Sequence, residues 1–322
     1  MSENALALDM NRAARRARGK QSERTRRSRK YTISGFAKHI WASSFQIHTT
    51  GQIKERHIFS WVEDMRVRGL STRTICNNVA HVRACLEGVG RKSFVQKRLT
   101  YKRLGISGAP RDGSKSPMPH SEFREFLAAA QLIDPGVAMC LELEYVFGLR
   151  AQEAVMCGEW LKNWLTILTN PLTDDFIWIT KGTKGGRSRR SPPVDRLVAQ
   201  DVVRRALAMW KEFGGVLIRK PDLKSAMARY QYVVHELGMI GIRTPHALRY
   251  AYVTRHLEKM AALGFSWKEA GAATSTYLGH ADTRGRWVLR IYGREIIKKL
   301  WPEVKFRRRK VIPEIQAVDQ AD

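Results

Sequence analysis

A histidine and an arginine stand three residues apart at the start of a predicted helix, within the stretch 244–249. Thr244 suits the position that caps a helix, and Pro245 suits the first helical turn. His246 and Arg249 then share one face of that turn, near free backbone N–H groups and the positive end of the helix dipole. Such a place binds anions, and a basic protein most often meets the phosphodiester. The alternative is a surface helix start that carries two unrelated cations.

Two further cationic side chains suit anion binding. Arg150 lies between apolar segments, where an unpaired guanidinium is costly to bury. It is either paired with Glu153, three residues on, or available to a ligand. His280 follows Gly279, the predicted end of a helix that begins at Ser266. Such a turn can aim a side chain, although an isolated histidine is more often a packing or surface residue.

The composition favours a nucleic-acid partner. The 322 residues carry a formal net charge of +27, and hydrophobic residues make up 43% of the chain. Sizeable cores can therefore form, while the excess charge repels itself unless a polyanion neutralises it. A membrane is not expected as a partner, because the sequence has neither a spanning apolar run nor a secretory signal. The four cysteines lack the spacing of a zinc site and are expected to be buried thiols of a cytoplasmic protein.

The elements that must position these residues divide the chain into segments. Residues 1–30 are rich in arginine and poor in large apolar side chains, which predicts a flexible basic arm. Helical periodicity predicts a small helical domain over 31–95, and the glycines and basic residues of 96–116 predict a linker. A second domain is expected over 117–305, followed by a C-terminal tail over 306–322. Overall, the chain is predicted to be mainly α with a small antiparallel β-sheet.

Within the second domain, helices are expected over 120–132 and over 137–155, with an interruption near Gly148. Alternating residues over 164–180 predict a strand, which a glycine-rich turn over 182–186 joins to a second strand. The chain after about residue 196 is predicted to be helical.

Taken in order, these motifs resemble those of the tyrosine recombinases, the phage integrase family. They are Gly-Leu-Arg-x-x-Glu over 148–153, Lys184 in a glycine-rich hairpin, His-x-Leu-Arg over 246–249, Leu-Gly-His over 278–280, and Tyr292. Each motif is weak alone, but five in the family's order are specific. The resemblance implies a helical core-binding domain over 31–95 and a mixed α/β catalytic domain over 117–305.

The resemblance also implies a role for each cationic residue and for the glutamate. Arg150 and Arg249 would bind the scissile phosphate and stabilise the charge that builds up on it. His246 would act as a general base or hydrogen-bond partner, and His280 would contact the phosphate. Glu153 would orient the site from behind.

Tyr292 would be the nucleophile and form a 3′-phosphotyrosyl bond, and Lys184 would protonate the leaving 5′ oxygen. The hairpin also contains Lys181, but the spacing from Lys184 to Pro192 is the one usual in the family. The interval from His280 to Tyr292 is longer than usual. Tyr292 is nevertheless the last tyrosine of the chain, and no metal or other cofactor is implied.

The resemblance implies double-stranded DNA as the substrate, a homotetramer on two DNA sites, accessory DNA-bending proteins, and action at the bacterial nucleoid. Two related functions stay open, a catalytically silent DNA-binding protein of the same fold and a type IB topoisomerase. A metal-dependent nuclease is disfavoured, because the adjacent Asp174 and Asp175 point to opposite faces of a strand.

An apolar stripe follows Tyr292. It would pack either on a neighbouring protomer or in its own core, and it consists of Ile296, Ile297, Leu300 and Trp301.

Overall fold

The computed structural model describes residues 3–17, 22–108, 115–280 and 282–305. They divide into two units, residues 3–108 and residues 115–305. The predicted fold class is confirmed, since helices dominate and β1 (Ile177–Ile179) pairs antiparallel with β2 (Arg189–Ser191). Among the described residues, no helix combines the length and the apolar character that crossing a bilayer requires. The predicted tail over 306–322 lies outside the described residues.

Helices build the first unit around an aliphatic and aromatic core. Ser71 caps α4 as the sequence predicts, because its hydroxyl accepts a hydrogen bond from the Thr74 amide at 3.2 Å. Buried side chains such as Ile58, Trp61 and Val79 fill the space between the helices. The described helices are α1 (Glu3–Arg16), α2 (Glu23–Ala42), α3 (Glu55–Val67), α4 (Thr72–Gly88) and α5 (Lys92–Arg98).

The predicted flexible arm over 1–30 is wrong for the residues that the structure describes. Leu6, Met10 and Ala13 lie one helical turn apart on α1, and all three are buried in the core of the first unit. A Cβ atom on Gly88 of α4 would collide with the Ala13 carbonyl, so the two helices approach closely. The many arginines hid this apolar stripe, because they occupy the opposite, solvent-facing side of the helix.

The predicted linker over 96–116 is also wrong in its first half. Leu99, Leu104 and Ile106 are buried in the same core as α1 to α5. Arg66 of α3 donates hydrogen bonds to the Leu104 and Gly105 carbonyls at 3.1 and 3.0 Å, which fixes this segment against the unit. Basic residues and glycines predict a turn here, but the apolar residues between them decide its burial. Residues 109–114 of the predicted linker lie outside the described residues.

The second unit surrounds α7, which is buried on nearly every side. Its helix ends at Gly148 with φ 60°, and a Cβ atom there would press on the Tyr252 ring. This break turns the chain from one apolar helix into the next, as the sequence predicts. The described helices are α6 (His120–Ile133), α7 (Pro135–Phe147), α8 (Ala151–Val155), α9 (Leu161–Thr169), α10 (Arg196–Glu212), α11 (Leu223–Glu236), α12 (His246–Ala262), α13 (Trp267–Tyr277), α14 (Gly285–Ile291) and α15 (Ile297–Leu300).

The predicted strand over 164–180 is confirmed only at its end. Ile177 and Ile179 are buried and Trp178 is exposed, which matches the predicted alternation in β1. The first part is instead α9, whose Trp164 and Leu168 are buried at helical spacing. Short apolar runs fit both periods, and packing against α10 selects the helix here.

The apolar stripe after Tyr292 packs in its own unit. Ile296, Ile297 and Trp301 are buried in a cluster with residues of α12 and α14. The Trp301 indole N–H also donates to the Phe265 carbonyl at 3.1 Å. Of the two alternatives that the sequence leaves open, the structure shows the one in which the stripe completes its own core.

Candidate active site

Two arginines from distant segments converge on one backbone carbonyl. Arg249 lies in the first turn of α12 and is 1% exposed, and it donates to the Gly148 carbonyl at 2.5 Å and to the Leu278 carbonyl. Arg150, which precedes α8, also donates to the Leu278 carbonyl, at 3.1 Å. The fold therefore joins the Gly-Leu-Arg segment, the start of α12 and the end of α13 at a single point.

Arg249 is held in a costly environment. Burial, together with the charges of Arg189 and Arg150, lowers the pKa of Arg249 to about 9. Its Nε atom is buried and has no hydrogen-bond partner among the described residues. A group in this state gains from any anion that reaches it.

Glu153 lies beneath the arginines and ties two of them together. Its carboxylate accepts from Arg150 at 2.6 Å and from the Arg150 backbone amide at 2.8 Å. Burial alone would raise its pKa, but the charges of Arg189, Arg249 and Arg150 lower the pKa of Glu153 to about 2. Arg150 is therefore paired with Glu153 and, with 26% of its side chain exposed, also open to a ligand.

Arg189 is a member of this cluster that the sequence reasoning missed. It lies on the buried face of β2, with 3% of its side chain exposed, and binds Glu153 at 2.6 Å. The signal was present in the sequence, since a two-residue alternation that buries Ser191 also buries Arg189. An arginine on the buried face of a strand requires an anionic partner.

The cluster carries an uncompensated positive charge. The guanidiniums of Arg150, Arg189 and Arg249 face the single carboxylate of Glu153, which leaves an excess of two positive charges. Glu144 is buried as well, and its burial raises the pKa of that carboxyl well above the usual value, which disfavours a negative charge there. An excess of this kind inside a protein is costly and favours the binding of an anion.

Both predicted histidines border this cluster and are neutral near pH 7. Burial and the charges of Arg249 and Arg150 lower the pKa of His246 and of His280 to about 4. His246 begins α12, which starts one residue later than predicted, with Pro245 just before it. His280 follows Gly279, where φ is 73°, as the sequence predicts. The His280 Nε2 atom is buried and has no hydrogen-bond partner among the described residues.

Tyr292 lies beside the cluster, at the end of α14. Its ring centre is 5.9 Å from that of His246 and 4.6 Å from that of Tyr250, and the residue is 7% exposed. Tyr292 acts to raise the pKa of Arg249, against the larger effect of burial, which indicates that the phenol lies near the guanidinium. The long interval after His280 contains a 3₁₀ turn and α14, and this helix brings the tyrosine back to the site. Trp287 of α14 packs between His280 and Tyr292, and its ring centre lies 5.1 Å from that of His280 and 6.2 Å from that of Tyr292.

The two hairpin lysines differ in their surroundings. Lys181 pairs with Glu159 at 2.5 Å, on the outside of the hairpin. The charge of Lys184, by contrast, is among those that lower the pKa of His280, after burial and the nearby arginines. Lys184 is therefore the hairpin lysine whose charge acts on His280.

An open cavity of about 830 Å³ borders the cluster. Arg150 and His246 form part of its wall, and Tyr230 and Tyr232 of α11 form the other side. Arg150 and His246 are thus accessible from solvent to an extended ligand.

Comparisons with known proteins identify the family of this chain. An integrase family model matches residues 105–255, and a model of the phage integrase N-terminal domain matches residues 1–95. The chain belongs to the tyrosine recombinase family. It is therefore an enzyme of the site-specific recombinase class, and its N-terminal domain includes the residues assigned above to an arm.

Solved structures show the same fold as this recombinase. A lambda integrase dimer bound to a COC′ core site is 16% identical, with 94% of this chain and 80% of that chain covered, at a TM-score of 0.55. A Tn1549 transposon integrase in complex with transposon right end DNA is 16% identical, with 92% and 99% covered, at 0.56. A lambda integrase tetramer bound to a Holliday junction is 17% identical, with 93% and 79% covered, at 0.55. A search of curated protein sequences finds no match.

Proposed function

We propose that this recombinase cleaves and rejoins double-stranded DNA through a covalent bond between Tyr292 and a 3′ phosphate. The observation that carries the proposal is the position of the Tyr292 ring, 5.9 Å from His246 and beside a buried cluster with excess positive charge. A phenol next to a neutral imidazole and an anion site has the three parts that phosphoryl transfer to a side chain requires.

The chemical step follows from the residues around Tyr292. His246 takes the phenol proton, or orients the phenol, as the oxygen attacks the phosphorus. The bond from phosphorus to the 5′ oxygen breaks, and Lys184 donates a proton to that oxygen. The new tyrosine ester conserves the energy of the broken bond. A 5′ hydroxyl from the partner DNA duplex can therefore attack the phosphotyrosine, reverse the step and seal the new junction.

The arginines stabilise the charge of this step. Arg150 and Arg249 bind the non-bridging oxygens, where the planar fork of a guanidinium makes two parallel hydrogen bonds. The unpartnered Nε of Arg249 and Nε2 of His280 supply two more groups whose hydrogen-bonding capacity is unused in the absence of DNA. Groups held in place before the reaction lose no energy to reorganisation as charge develops.

DNA binding is supported by the net charge of +27 and by the similar structures, which are complexes with DNA. Because phosphate contacts release counterions, affinity should fall steeply with salt, with a log–log slope of about −0.9 for each phosphate neutralised. A slope near zero would contradict a phosphate-dominated interface.

We propose four protomers on two DNA sites at the moment of strand exchange, in line with the lambda integrase tetramer on a Holliday junction. The mass of a complex trapped on synthetic junction DNA tests this number. Recombination by the purified chain alone, compared with reactions supplemented by a DNA-bending protein, tests the need for an accessory factor. We also propose that the enzyme acts at the bacterial nucleoid, where its DNA substrate would lie, and imaging of a fluorescent fusion tests that location.

The decisive experiment compares two neighbouring tyrosines. DNA that flanks the coding region is first searched for the duplex that the wild type binds most tightly, hereafter the selected site. A nicked form of this duplex then traps any covalent protein–DNA adduct on a denaturing gel. Tyr292→Phe should abolish the adduct and keep DNA affinity, whereas Tyr250→Phe should keep both. An adduct formed by Tyr292→Phe would show that the nucleophile is another residue.

The same assay separates the other functions. A wild type that binds the selected site tightly but never forms an adduct is a silent DNA-binding protein. Relaxation of supercoiled plasmid without a preferred sequence indicates a topoisomerase. Loss of cleavage in EDTA would indicate a metal-dependent nuclease.

A further inference from the structure

We infer that Arg189 is a positioning residue for DNA cleavage, one that holds Arg150, Arg249 and His280 in register without touching DNA. This inference rests on the proposed function. Arg189 is not placed to bind a phosphate, because each of its three guanidinium nitrogens already donates to a protein acceptor, whereas the Nε of Arg249 has no partner among the described residues. Its effect must pass through the groups that it contacts.

Those groups belong to three separate segments. Arg189 donates to both Glu153 oxygens, at 2.6 and 3.3 Å, and to the Gly148 carbonyl at 3.2 Å. It also donates to the Tyr277 carbonyl at the end of α13. One side chain on β2 thus connects α8, the end of α7 and the end of α13.

Each contact of Arg189 is next to a proposed phosphate ligand. Glu153 is the partner of Arg150, and the Gly148 carbonyl also accepts from Arg249. The carbonyl after that of Tyr277 accepts from both Arg150 and Arg249. Displacement of Arg189 would therefore move the supports of both guanidiniums at once.

The turn before His280 is packed directly on Arg189. A Cβ atom on Gly279 would lie 2.9 Å from the Arg189 Cδ atom, and Gly279 has φ 73°. The chain can pass this close only because the residue is glycine. The side chain of Arg189 therefore also helps to determine the position of the turn that carries His280.

Arg189 has an electrostatic effect as well. Its charge is the strongest of those that lower the pKa of Glu153, against the opposing effect of burial. Without it, Arg150 would be the only arginine hydrogen-bonded to the carboxylate, with the charge of Arg249 nearby, and the carboxylate would neutralise Arg150 more fully. A buried ion pair is often no more stabilising than apolar side chains of similar volume, so stability alone does not explain an arginine here.

The test uses Arg196 as a matched control, because it binds in the same way far from the cluster. Arg196 donates to the carbonyls of Ile167, Leu168 and Asn170 and pairs with Asp175. Arg189→Lys and Arg196→Lys each keep the positive charge but lose the planar guanidinium, which donates to several acceptors at once. Arg189→Lys should be the more destabilised of the two, because the Arg189 pair is buried whereas the pair of Arg196 with Asp175 is partly exposed.

Cleavage should separate the two variants. Adduct formation on the nicked selected site is measured at saturating DNA, at a temperature where circular dichroism shows every variant folded. Arg189→Lys should slow the step about 10²-fold with unchanged DNA affinity, because small displacements of catalytic groups have effects of this size. Arg196→Lys should cleave at the wild-type rate. Equal rates for Arg189→Lys and the wild type would overturn the inference, while the wild-type adduct itself keeps the proposed function intact.

A second pair of variants decides the question if Arg189→Lys does not fold. In Arg189→Met, Glu153 would keep only its pair with Arg150 and should neutralise that guanidinium, and adding Glu153→Gln should release it. The double variant should then cleave roughly tenfold faster than Arg189→Met, a coupling expected of residues in one network. A double variant as fast as the wild type would show that the pair does not position the site.

Discussion

The two units of this recombinase treat positive charge in opposite ways. In the described residues 3–108, every ion pair is at least partly exposed, and the core of α1 to α5 is aliphatic and aromatic. In residues 115–305, Arg189, Arg249 and Glu153 are buried together beneath the candidate active site.

This difference reflects two uses of cationic side chains. An exposed arginine costs little in stability and attracts a polyanion from any direction, so it suits affinity. A buried arginine is costly, but it is held in place and acts in a low dielectric, so it suits transition-state stabilisation. We expect substitutions of charged residues to alter mainly binding in the first unit and mainly chemistry and stability in the second.

The largest effect is expected at Lys184. Lys184→Ala removes the proposed proton donor and should slow adduct formation by about 10²–10⁴-fold on the nicked selected site. Lys181→Ala removes a lysine of the same hairpin that pairs with Glu159 on the outside, and it should cleave within a few-fold of the wild type. If Lys181→Ala is the slower variant, the assignment of the two lysines is reversed.

The next largest effect is the loss of stability when an ion pair is broken, which should be greater for a buried pair than for an exposed one. Glu153→Ala leaves Arg189 without its carboxylate and should lower the free energy of unfolding by about 3–5 kcal/mol. Glu63→Ala breaks the exposed pair with Arg66 in the first unit and should cost about 0–1 kcal/mol. Urea titrations measure both values. Similar losses would mean that the two environments do not differ as the structure indicates.

The corrected N-terminal segment gives a sharper test of the first unit. Leu6→Ala empties a buried position on α1 and should destabilise the protein by about 2–5 kcal/mol. Leu8→Ala, on the same helix but 59% exposed, should change stability by less than about 0.5 kcal/mol. Equal stability of the two variants in thermal unfolding would indicate that this segment is the flexible arm that its arginines predict, and not a packed helix.

The smallest effect concerns acid stability in the second unit. Burial and Lys259 lower the pKa of His256 from 6.5 to about 4, so the folded state disfavours the protonated imidazole. Above pH 6.5 the imidazole is neutral in both states and does not affect stability. As the pH falls toward 4, the unfolded state binds a proton that the folded state does not, and the free energy of unfolding decreases. His256→Phe should therefore reduce the stability loss between pH 7 and pH 5 by about 2 kcal/mol.

His235→Gln is the control for this measurement, because His235 is exposed. It should show the same pH dependence as the wild type. His246 and His280 also titrate near pH 4 and remain in both variants, so only the difference between the curves reports on His256. Identical curves for His256→Phe and the wild type would mean that the ring is not held neutral.

Local patterns predicted much of the candidate site. The helix start at His246, the turn at Gly279 and the pairing of Arg150 with Glu153 depend on neighbours within a few residues. Such features follow from capping, glycine conformation and helical spacing, which a sequence displays directly. The order of the motifs then identified the family.

Long-range burial could not be predicted in the same way. The arginines of residues 1–30 suggested a solvated arm, yet Leu6 and Met10 complete a core with residues more than twenty positions away. Arg189 looked like one of several basic residues in a hairpin, although it is the one that β2 turns inward. Both errors arise because composition records which charges are present, whereas only contacts decide which of them are buried.

The sequence by itself determined the fold class, the family and the identity of the groups with chemical potential, since these depend on residue type, order and short-range periodicity. Only the tertiary structure decided that Tyr292 lies next to His246 and that two guanidiniums share the Glu153 carboxylate, with a third nearby. The physical reason is that an electrostatic site is a property of distances and burial, and these arise when segments far apart in the chain pack together.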